Sequence, residues 1–439
     1  MMTRGQRAGI ALGAAAAIVV LAAVGWANRH PELAPVEPPG EGAFDSALLR
    51  KGEALAGIGA CAVCHTAQSG APYAGGRPLP TPFGIVYSTN ITPDAGTGIG
   101  AWSEAAFRRA MREGVDRRGR HLYPAFPYDH FTRVADEDLA ALYAYLMTRK
   151  PVAFEAPDHE LPFPLDVRML LAGWKLLFLE TGEFKPDESR DDEWNRGAYL
   201  AEGLGHCGAC HTPRNALGAL VEEAAYDGGD VEDWHAPALN TRSPAPIPWT
   251  REQLVDYLFD GWEEAHGIAA GPMAPVVNHL YDQSEDDVFA IAAYFASRQR
   301  PPLADAETEA VLAGAAALDW ERDPVWRPEK IPDDPALLRG MGVFRDQCAD
   351  CHRRGGAEPP VSLALTTTVN APDPRNVIHI VFDGIRPPRG ALQRSMPEFG
   401  ASIADADIVD LVQYVRWHFT DRPPWEDVAG HVAAKRAAW

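Results

Sequence analysis

The six cysteines of this 439-residue chain fall into three Cys-x-x-Cys pairs, and a histidine directly follows each pair. The pairs are Cys61 and Cys64, Cys207 and Cys210, and Cys348 and Cys351, and the histidines are His65, His211 and His352. Two thiols about one helical turn apart can bond the two vinyl groups of one haem, and the adjacent imidazole can bind the iron as proximal ligand. The pattern therefore predicts three covalently bound haem c groups.

Two other uses of Cys-x-x-Cys fit the sequence less well. A structural zinc site takes these pairs two at a time, and three pairs do not divide in that way. A thiol–disulfide redox motif is not expected three times in one chain, each time with a trailing histidine. We therefore favour haem attachment, which uses every cysteine.

The repeat extends upstream of each motif. A glycine stands eight to ten residues before the first cysteine of each pair, as Gly52, Gly197 and Gly340. We expect each glycine to open an amphipathic helix that carries the haem motif.

A downstream segment also recurs, and it predicts the distal ligands. Ser103 and Thr250 each follow a tryptophan and are predicted to be helix N-caps, and a glycine stands twelve residues after each tryptophan. Twelve residues after Gly114, Gly261 and Gly384 stand Phe126, Met273 and Met396, respectively. Met273 and Met396 lie in proline-flanked loops, so we predict that their thioethers are the sixth ligands of the second and third irons.

The first repeat has a phenylalanine where the others have methionine, and a phenyl ring offers iron no lone pair. His130, four residues after Phe126, is the favoured sixth ligand of the first haem. His121, Met111, Met147 and a five-coordinate iron remain alternatives, and His279 is a weaker rival to Met273. A bis-histidine iron would have a lower potential than a His/Met iron.

The N-terminal segment predicts export. Arg4 and Arg7 precede an uncharged, apolar stretch over residues 8–27, followed by a proline-rich run. Twenty such residues suffice for a bilayer span and are long for a signal peptide, so we favour a retained anchor over a cleaved signal. Either places the rest of the chain on the periplasmic face of the inner membrane. Leu165–Glu180 is apolar but carries Asp166, Arg168 and Lys175, and is predicted to be an inter-domain or interfacial helix.

The negative net charge disfavours two classes of binding partner. The formal net charge is −21, which disfavours nucleic-acid binding because phosphates must be neutralised by basic patches. Anionic lipid also repels a chain this acidic, so any attachment to a membrane must be apolar.

With its motifs placed, the chain resembles the triheme membrane-bound cytochrome c subunits of bacterial dehydrogenases. The resemblance covers nearly everything after residue 27 and rests on segments more specific than the haem motif, including NITPDAGTGIGAWS, GRHLYPAFPYDHFTR, LLAGWKLLF, GPMAPVVNH and NAPDPRN. It implies the same attachment cysteines, proximal histidines and distal methionines as above. It also implies a catalytic dehydrogenase partner and ubiquinone or a terminal oxidase as acceptor. The AFPYDHF form resembles the branch that serves molybdenum hydroxylases, with quinoprotein or flavoprotein dehydrogenases as alternatives.

These observations predict an all-α fold of three tandem class I cytochrome c domains behind an anchor or signal segment. The three domains are predicted at 45–150, 190–300 and 335–422, joined by connectors at 151–189 and 301–334. The anchor is predicted at 1–27, a proline-rich linker at 28–44 and a tail at 423–439. The predicted function is electron relay without substrate chemistry. A di-haem peroxidase and a soluble shuttle cytochrome are the alternatives.

Overall fold

The computed structural model describes residues 30–40, 42–320, 331–353 and 361–439, together with Gly25. Among these residues, no helix has the length and apolar character needed to cross a membrane. The predicted anchor over residues 8–27 lies outside the described residues except for Gly25. The described chain divides into two compact units.

The first unit comprises Met1–Pro186 and Glu202–His206. Its helices are α1 (Ser46–Ile58), α2 (Cys61–Cys64), α3 (Glu104–Glu113), α4 (Tyr128–Phe131), α5 (Asp136–Met147) and α6 (Leu170–Phe178). Strands β1 (Pro78–Thr81) and β2 (Gly84–Tyr87) form an antiparallel ladder. Leu55, Phe107, Leu139 and Leu142 lie in the core formed where α1, α3 and α5 meet.

The second unit comprises Asp187–Ala201 and Cys207–Trp439. Its helices are α7 (Asp192–Glu202, whose last residue belongs to the first unit), α8 (Gly208–His211), α9 (Arg251–Asp260), α10 (Met273–Leu280), α11 (Glu285–Ala296), α12 (Asp305–Leu318), α13 (Pro335–Gln347), α14 (Thr367–Asn370), α15 (Arg375–Asp383), α16 (Asp405–Phe419) and α17 (Val428–Ala438), with a 3₁₀ turn at Glu222–Ala224. Strand β3 (Gly229–Val231) pairs with β4 (Trp234–Ala236), and β5 (Trp262–Glu263) pairs with β6 (Gly267–Ile268), both antiparallel.

The same helix crossing occurs three times, and a glycine makes each one possible. The pairs are α1 with α5, α7 with α11, and α13 with α16. A Cβ atom added at Gly52, Gly197 or Gly340 would overlap the backbone carbonyl oxygen of Ala141, Ala290 or Asp410, respectively. Four residues further along each partner helix, the Cβ of Tyr145, Tyr294 or Tyr414 lies against the same glycine. The prediction that these glycines open their helices is wrong: each lies inside its helix, at the position where two helix backbones touch.

An ion pair accompanies each crossing. The residue before each glycine is basic and pairs with an aspartate of the partner helix: Lys51 with Asp138 at 2.5 Å, Arg196 with Asp287 at 2.7 Å and Arg339 with Asp410 at 2.7 Å. Partly exposed pairs of this kind contribute little stability, typically about 0–1 kcal/mol. They fix the register of the two helices more than they strengthen the crossing.

The fold is helix-rich, as expected, but it contains the three short ladders that an all-α prediction omits. Ser103 accepts a hydrogen bond from the Ala106 N–H and Thr250 from the Gln253 N–H, so both predicted N-caps are confirmed. The tail forms α17, which packs on α16. The three domain boundaries stay predictions.

Substitutions in α13 test the crossing. Gly340→Ala should lower the free energy of unfolding of this module by about 1–3 kcal/mol, because the added methyl group must push two backbones apart. The measurement is hydrogen–deuterium exchange of the α16 amides in the holoprotein.

Gly342→Ala is the matched control, because nothing lies within 4 Å of a Cβ added there, two residues further along the same helix. It should raise stability by about 0.5–1 kcal/mol, the usual gain when alanine replaces a mid-helix glycine. Equal effects of the two substitutions would show that close backbone approach is not the constraint at Gly340.

Candidate haem sites

Each cysteine motif is wound into one helical turn. The histidine N–H donates to the carbonyl of the first cysteine in all three copies: His65 to Cys61 at 3.0 Å, His211 to Cys207 at 3.1 Å and His352 to Cys348 at 2.9 Å. This bond closes a turn of α-helix over the five residues of the motif. The two thiols and the imidazole are thereby held at the end of the helix that carries the motif.

The electrostatics of the thiols argue against a redox pair. Burial raises the pKa of the first thiol of each pair, in Cys61, Cys207 and Cys348, to about 12. Cysteines that perform thiol–disulfide exchange have lowered pKa values, because the thiolate is the reactive form. First thiols that stay protonated are instead consistent with a structural tether.

Two of the three predicted proximal histidines have their rings fixed in the same way. His65 Nδ1 lies 2.6 Å from the Thr89 carbonyl oxygen, and His211 Nδ1 lies 2.7 Å from that of Pro237. Because a carbonyl oxygen only accepts, Nδ1 must carry the proton, and Nε2 keeps its lone pair. A metal-bound histidine typically makes this bond with its other ring nitrogen.

Burial also keeps these imidazoles neutral. It lowers the pKa of His65 and His211, and it lowers that of His352 to about 4. A neutral ring is the form that can bind iron. His352 Nδ1 has no hydrogen-bond partner among the described residues, and residues 354–360 lie outside them.

The carbonyls that hold His65 and His211 are functional groups that sequence reasoning missed. Thr89 follows β2 by two residues, and Pro237 follows β4 directly. A second bond ties each hairpin to its motif, since Gly75 N–H donates to the His65 carbonyl and Gly228 N–H to the His211 carbonyl. The short ladders absent from the predicted fold therefore position the proximal ligands.

The distal loops of the first two copies leave their helices with the same geometry. Gly114 ends α3 and Gly261 ends α9, both in the left-handed region with φ of 59° and 74°. Leu122 N–H then donates to the Gly114 carbonyl at 2.7 Å, and Ala269 N–H donates to the Gly261 carbonyl at 2.8 Å. The loop spans eight residues in both copies.

This matched register places Phe126 at the position of Met273. Each stands four residues after the closing hydrogen bond, and each N–H donates to a carbonyl three residues back, of Tyr123 at 3.0 Å and Ala270 at 3.2 Å. The phenylalanine is therefore a true substitution at the distal position and not the result of a shifted alignment. Its ring packs against Phe131, with 5.2 Å between centroids.

The third distal loop has a different backbone. Ile385 and Met396 exchange two hydrogen bonds, of 2.8 and 3.0 Å, so Met396 lies directly opposite the residue after Gly384. Gly384 itself has φ 68° and ψ −167°, unlike its two counterparts. The shared twelve-residue spacing thus corresponds to two loop conformations.

His130 has the arrangement expected of an iron ligand. Its Nδ1 lies 2.9 Å from the Glu202 carbonyl oxygen, which leaves the lone pair on Nε2. Nε2 is buried and has no hydrogen-bond partner among the described residues. Buried polar atoms are nearly always paired, so an orphaned one needs an explanation. Iron ligation would be one explanation, but ring nitrogens of His121, His266 and His379 are orphaned in the same way among the described residues, so this feature alone does not identify the ligand. His130 stays the favoured prediction for the sixth ligand of the first haem.

The alternatives at the first haem fit less well. Lys175 Nζ donates to two backbone carbonyls and lies 3.1 Å from His121 Nδ1. Because an ammonium only donates, His121 Nδ1 accepts this hydrogen bond, and the ring proton is on Nε2. That proton leaves His121 no lone pair for iron. Met111 and Met147 are buried in the core of the first unit. At the second haem, the rival His279 lies six residues from Met273, on the last turn of α10.

Comparison with known proteins finds cytochrome c sequence in this chain. The family model described as cytochrome c matches residues 49–150, and the model described as cytochrome c oxidase, cbb3-type, subunit III matches residues 335–415. The gluconate 2-dehydrogenase cytochrome c subunit of Pantoea cypripedii is 38% identical over 391 residues, which cover 85% of this chain and 86% of that protein. The chain belongs to the family of dehydrogenase cytochrome c subunits.

Two further relatives define the extent of the match. The fructose dehydrogenase cytochrome subunit of Gluconobacter japonicus is 34% identical, with 90% of this chain and 83% of that protein covered. A nicotinate dehydrogenase subunit of Pseudomonas putida is 45% identical over 92% of this chain, but the chain spans only about a third of that protein.

Membership in this family settles the general function. The chain is an electron-transfer cytochrome with covalently bound haem c, and its complex contains a dehydrogenase. A peroxidase and a soluble shuttle are not favoured, since these relatives are dehydrogenase subunits. The residues present fit the group, because each motif offers two thiols and an imidazole that burial keeps neutral. The individual ligand assignments stay predictions.

We predict that His130→Ala alters the low-spin signal of one haem and leaves the other two unchanged, because only the first iron loses its sixth ligand. Electron paramagnetic resonance of the oxidised protein measures this directly. His279→Ala is the matched control, since its Nδ1 likewise lies within hydrogen-bond distance of a carbonyl, that of Pro275 at 2.7 Å. An unaltered spectrum of the His130 variant would remove that residue as a ligand.

Proposed function

We propose that this chain is a triheme subunit that receives electrons from a periplasmic dehydrogenase and passes them to ubiquinone or a terminal oxidase. The observation that carries the proposal is the threefold repetition of one unit. In each copy, a glycine-mediated helix crossing precedes a Cys-x-x-Cys-His turn closed by the same hydrogen bond. The presence of three such units supports three haem sites.

The middle copy is the decisive one, because the two family models match only the regions around the first and third motifs. Its Gly197 crossing repeats those of Gly52 and Gly340. The bond from His211 to Pro237 repeats that from His65 to Thr89. These shared details support a second haem site of the same design as the first.

Membrane attachment and export form part of the proposal. Their support is the uncharged, apolar stretch over residues 8–27 behind two arginines. Covalent tethering also suits an exported protein, which could otherwise lose its cofactor.

For the partner, we favour a molybdenum hydroxylase over a quinoprotein or flavoprotein. The support is the AFPYDHF form of the first distal loop and the 45% identity to part of a nicotinate dehydrogenase. Nicotinate is a nitrogen heteroaromatic acid. We therefore place the partner among enzymes that oxidise such rings.

The haem count tests the triheme proposal. Intact-protein mass spectrometry of the mature chain should show the added mass of three haems. The double variant Cys207→Ser/Cys210→Ser should show two, because only the middle tether is lost. A wild-type chain that carries two haems, and keeps both in this variant, would contradict the proposal.

The partner assignment is tested on the complex purified from its native membrane through a tagged copy of this chain. We expect molybdenum in near-stoichiometric amount and haem reduction on addition of a nitrogen heteroaromatic substrate. A complex that lacks molybdenum but contains a quinone or flavin cofactor would overturn the assignment without affecting the haem count.

A further inference from the structure

One segment of the first unit has its apolar side chains turned outward. Over residues 163–177, which include all of α6 except its last residue, seven large apolar residues are exposed. Phe163, Leu176 and Leu177 are the most exposed, at 82%, 68% and 72%. We call the seven the apolar strip: Phe163, Leu165, Val167, Met169, Leu170, Leu176 and Leu177. Contiguous exposed apolar surface of this kind commonly marks a binding face.

The basic side chains of the same segment are turned inward. Lys175 is buried and donates to the carbonyls of Glu113 and Gly114, both at 2.6 Å. Arg168 donates to the His121 carbonyl at 2.9 Å and reaches His159 at 3.1 Å. An ordinary surface helix turns its charged side chains to water and its leucines to the core. This segment does the opposite, with its basic side chains against the protein and its leucines outside.

This orientation is held firmly. Lys175 donates hydrogen bonds to carbonyls at the end of α3, where the distal loop of the first copy begins. Its ammonium also lies over the Tyr128 ring, 4.7 Å from the centroid. Trp174 packs edge-on against the same tyrosine, at 6.2 Å. Rotating α6 to hide its leucines would take the Lys175 ammonium away from both carbonyls, and a buried ammonium without partners is costly.

The chain that leaves the predicted anchor arrives beside this helix. Residues 8–27 end three residues before His30, whose ring packs edge-on against His121 at 5.3 Å. His121 is also the residue that Lys175 and Arg168 contact. Leu33 N–H then donates to the Arg117 carbonyl at 2.9 Å. The apolar strip and the start of the described N-terminal chain therefore share one neighbourhood of the first unit.

We propose that the apolar strip is seated in the headgroup–acyl boundary of a lipid bilayer, next to the N-terminal anchor. The inference rests on the membrane attachment put forward under the proposed function. An apolar face without outward basic residues suits an acidic protein, because its attachment depends on buried apolar area and not on attraction to anionic lipid. The strip adds a second, in-plane contact that fixes the orientation of the first unit on the membrane.

The test is photolabelling of the full chain in native membranes with a phospholipid that carries a carbene precursor on its acyl chain. We expect label in two peptides, one from residues 8–27 and one from residues 163–178. The variant Leu176→Gln/Leu177→Gln should lose most of the label in the second peptide and keep it in the first. Both leucines are largely exposed, so the variant should retain its haem content.

The matched control is Leu217→Gln/Leu392→Gln, which alters two leucines that are 58% and 72% exposed elsewhere in the chain. It should leave both labelled peptides unchanged. Label confined to residues 8–27 in the wild-type chain would overturn the docking of the strip and leave membrane attachment standing. Absence of label from both peptides would overturn both.

The strip could instead be covered by a dehydrogenase subunit or by a second copy of this chain, and labelling together with cross-linking distinguishes these two cases from lipid. Either would shield residues 163–178 from the lipid probe and would cross-link to them under a short bifunctional reagent. An unlabelled strip with such a protein cross-link would contradict the proposal.

Discussion

The close contact of two helix backbones at a glycine is the constraint on which the rest of the structure depends. At Gly52, Gly197 and Gly340 the helix that leads into a haem motif touches the carbonyl of the helix that closes the module. No side chain larger than hydrogen fits there. The contact sets where each Cys-x-x-Cys-His turn begins, and therefore where a haem can be tethered. Its threefold repetition indicates duplication of one module within the chain.

A second layer of structure orients the ligands that the crossings bring into place. The hairpins β1–β2 and β3–β4 return the chain so that a backbone carbonyl meets Nδ1 of His65 and of His211. This bond selects the tautomer that can bind iron and holds the ring plane. Left-handed glycines then redirect the chain into the distal loops. In the first copy, that loop carries Phe126 in the register of Met273, and nearby His130, whose Nε2 has no hydrogen-bond partner in the described part of the chain.

Residue type and spacing predicted the parts of the structure that depend on particular side chains. The haem motifs and the caps Ser103 and Thr250 have such signals, since thiols and a capping hydroxyl can be recognised in a sequence. The recurring glycines were visible too, but their contact with a second helix was not. The hairpins could not be predicted in this way. β1 reads Pro-Leu-Pro-Thr, and prolines disfavour strands. Any residue can supply the carbonyls of Thr89 and Pro237, so nothing in the sequence marks them. The apolar stretch around α6 was visible, but the inward direction of Lys175 depends on tertiary contacts.

The central claim is that one module, used three times, holds three haems of which the first differs in its distal ligand. Spectroelectrochemical titration of the holoprotein tests this most directly. The account predicts three one-electron transitions, with the lowest potential belonging to a haem that lacks the charge-transfer band of methionine ligation, since methionine raises the potential. The other two haems should show that band. Two transitions in total, or three haems that all carry the methionine band, would contradict it.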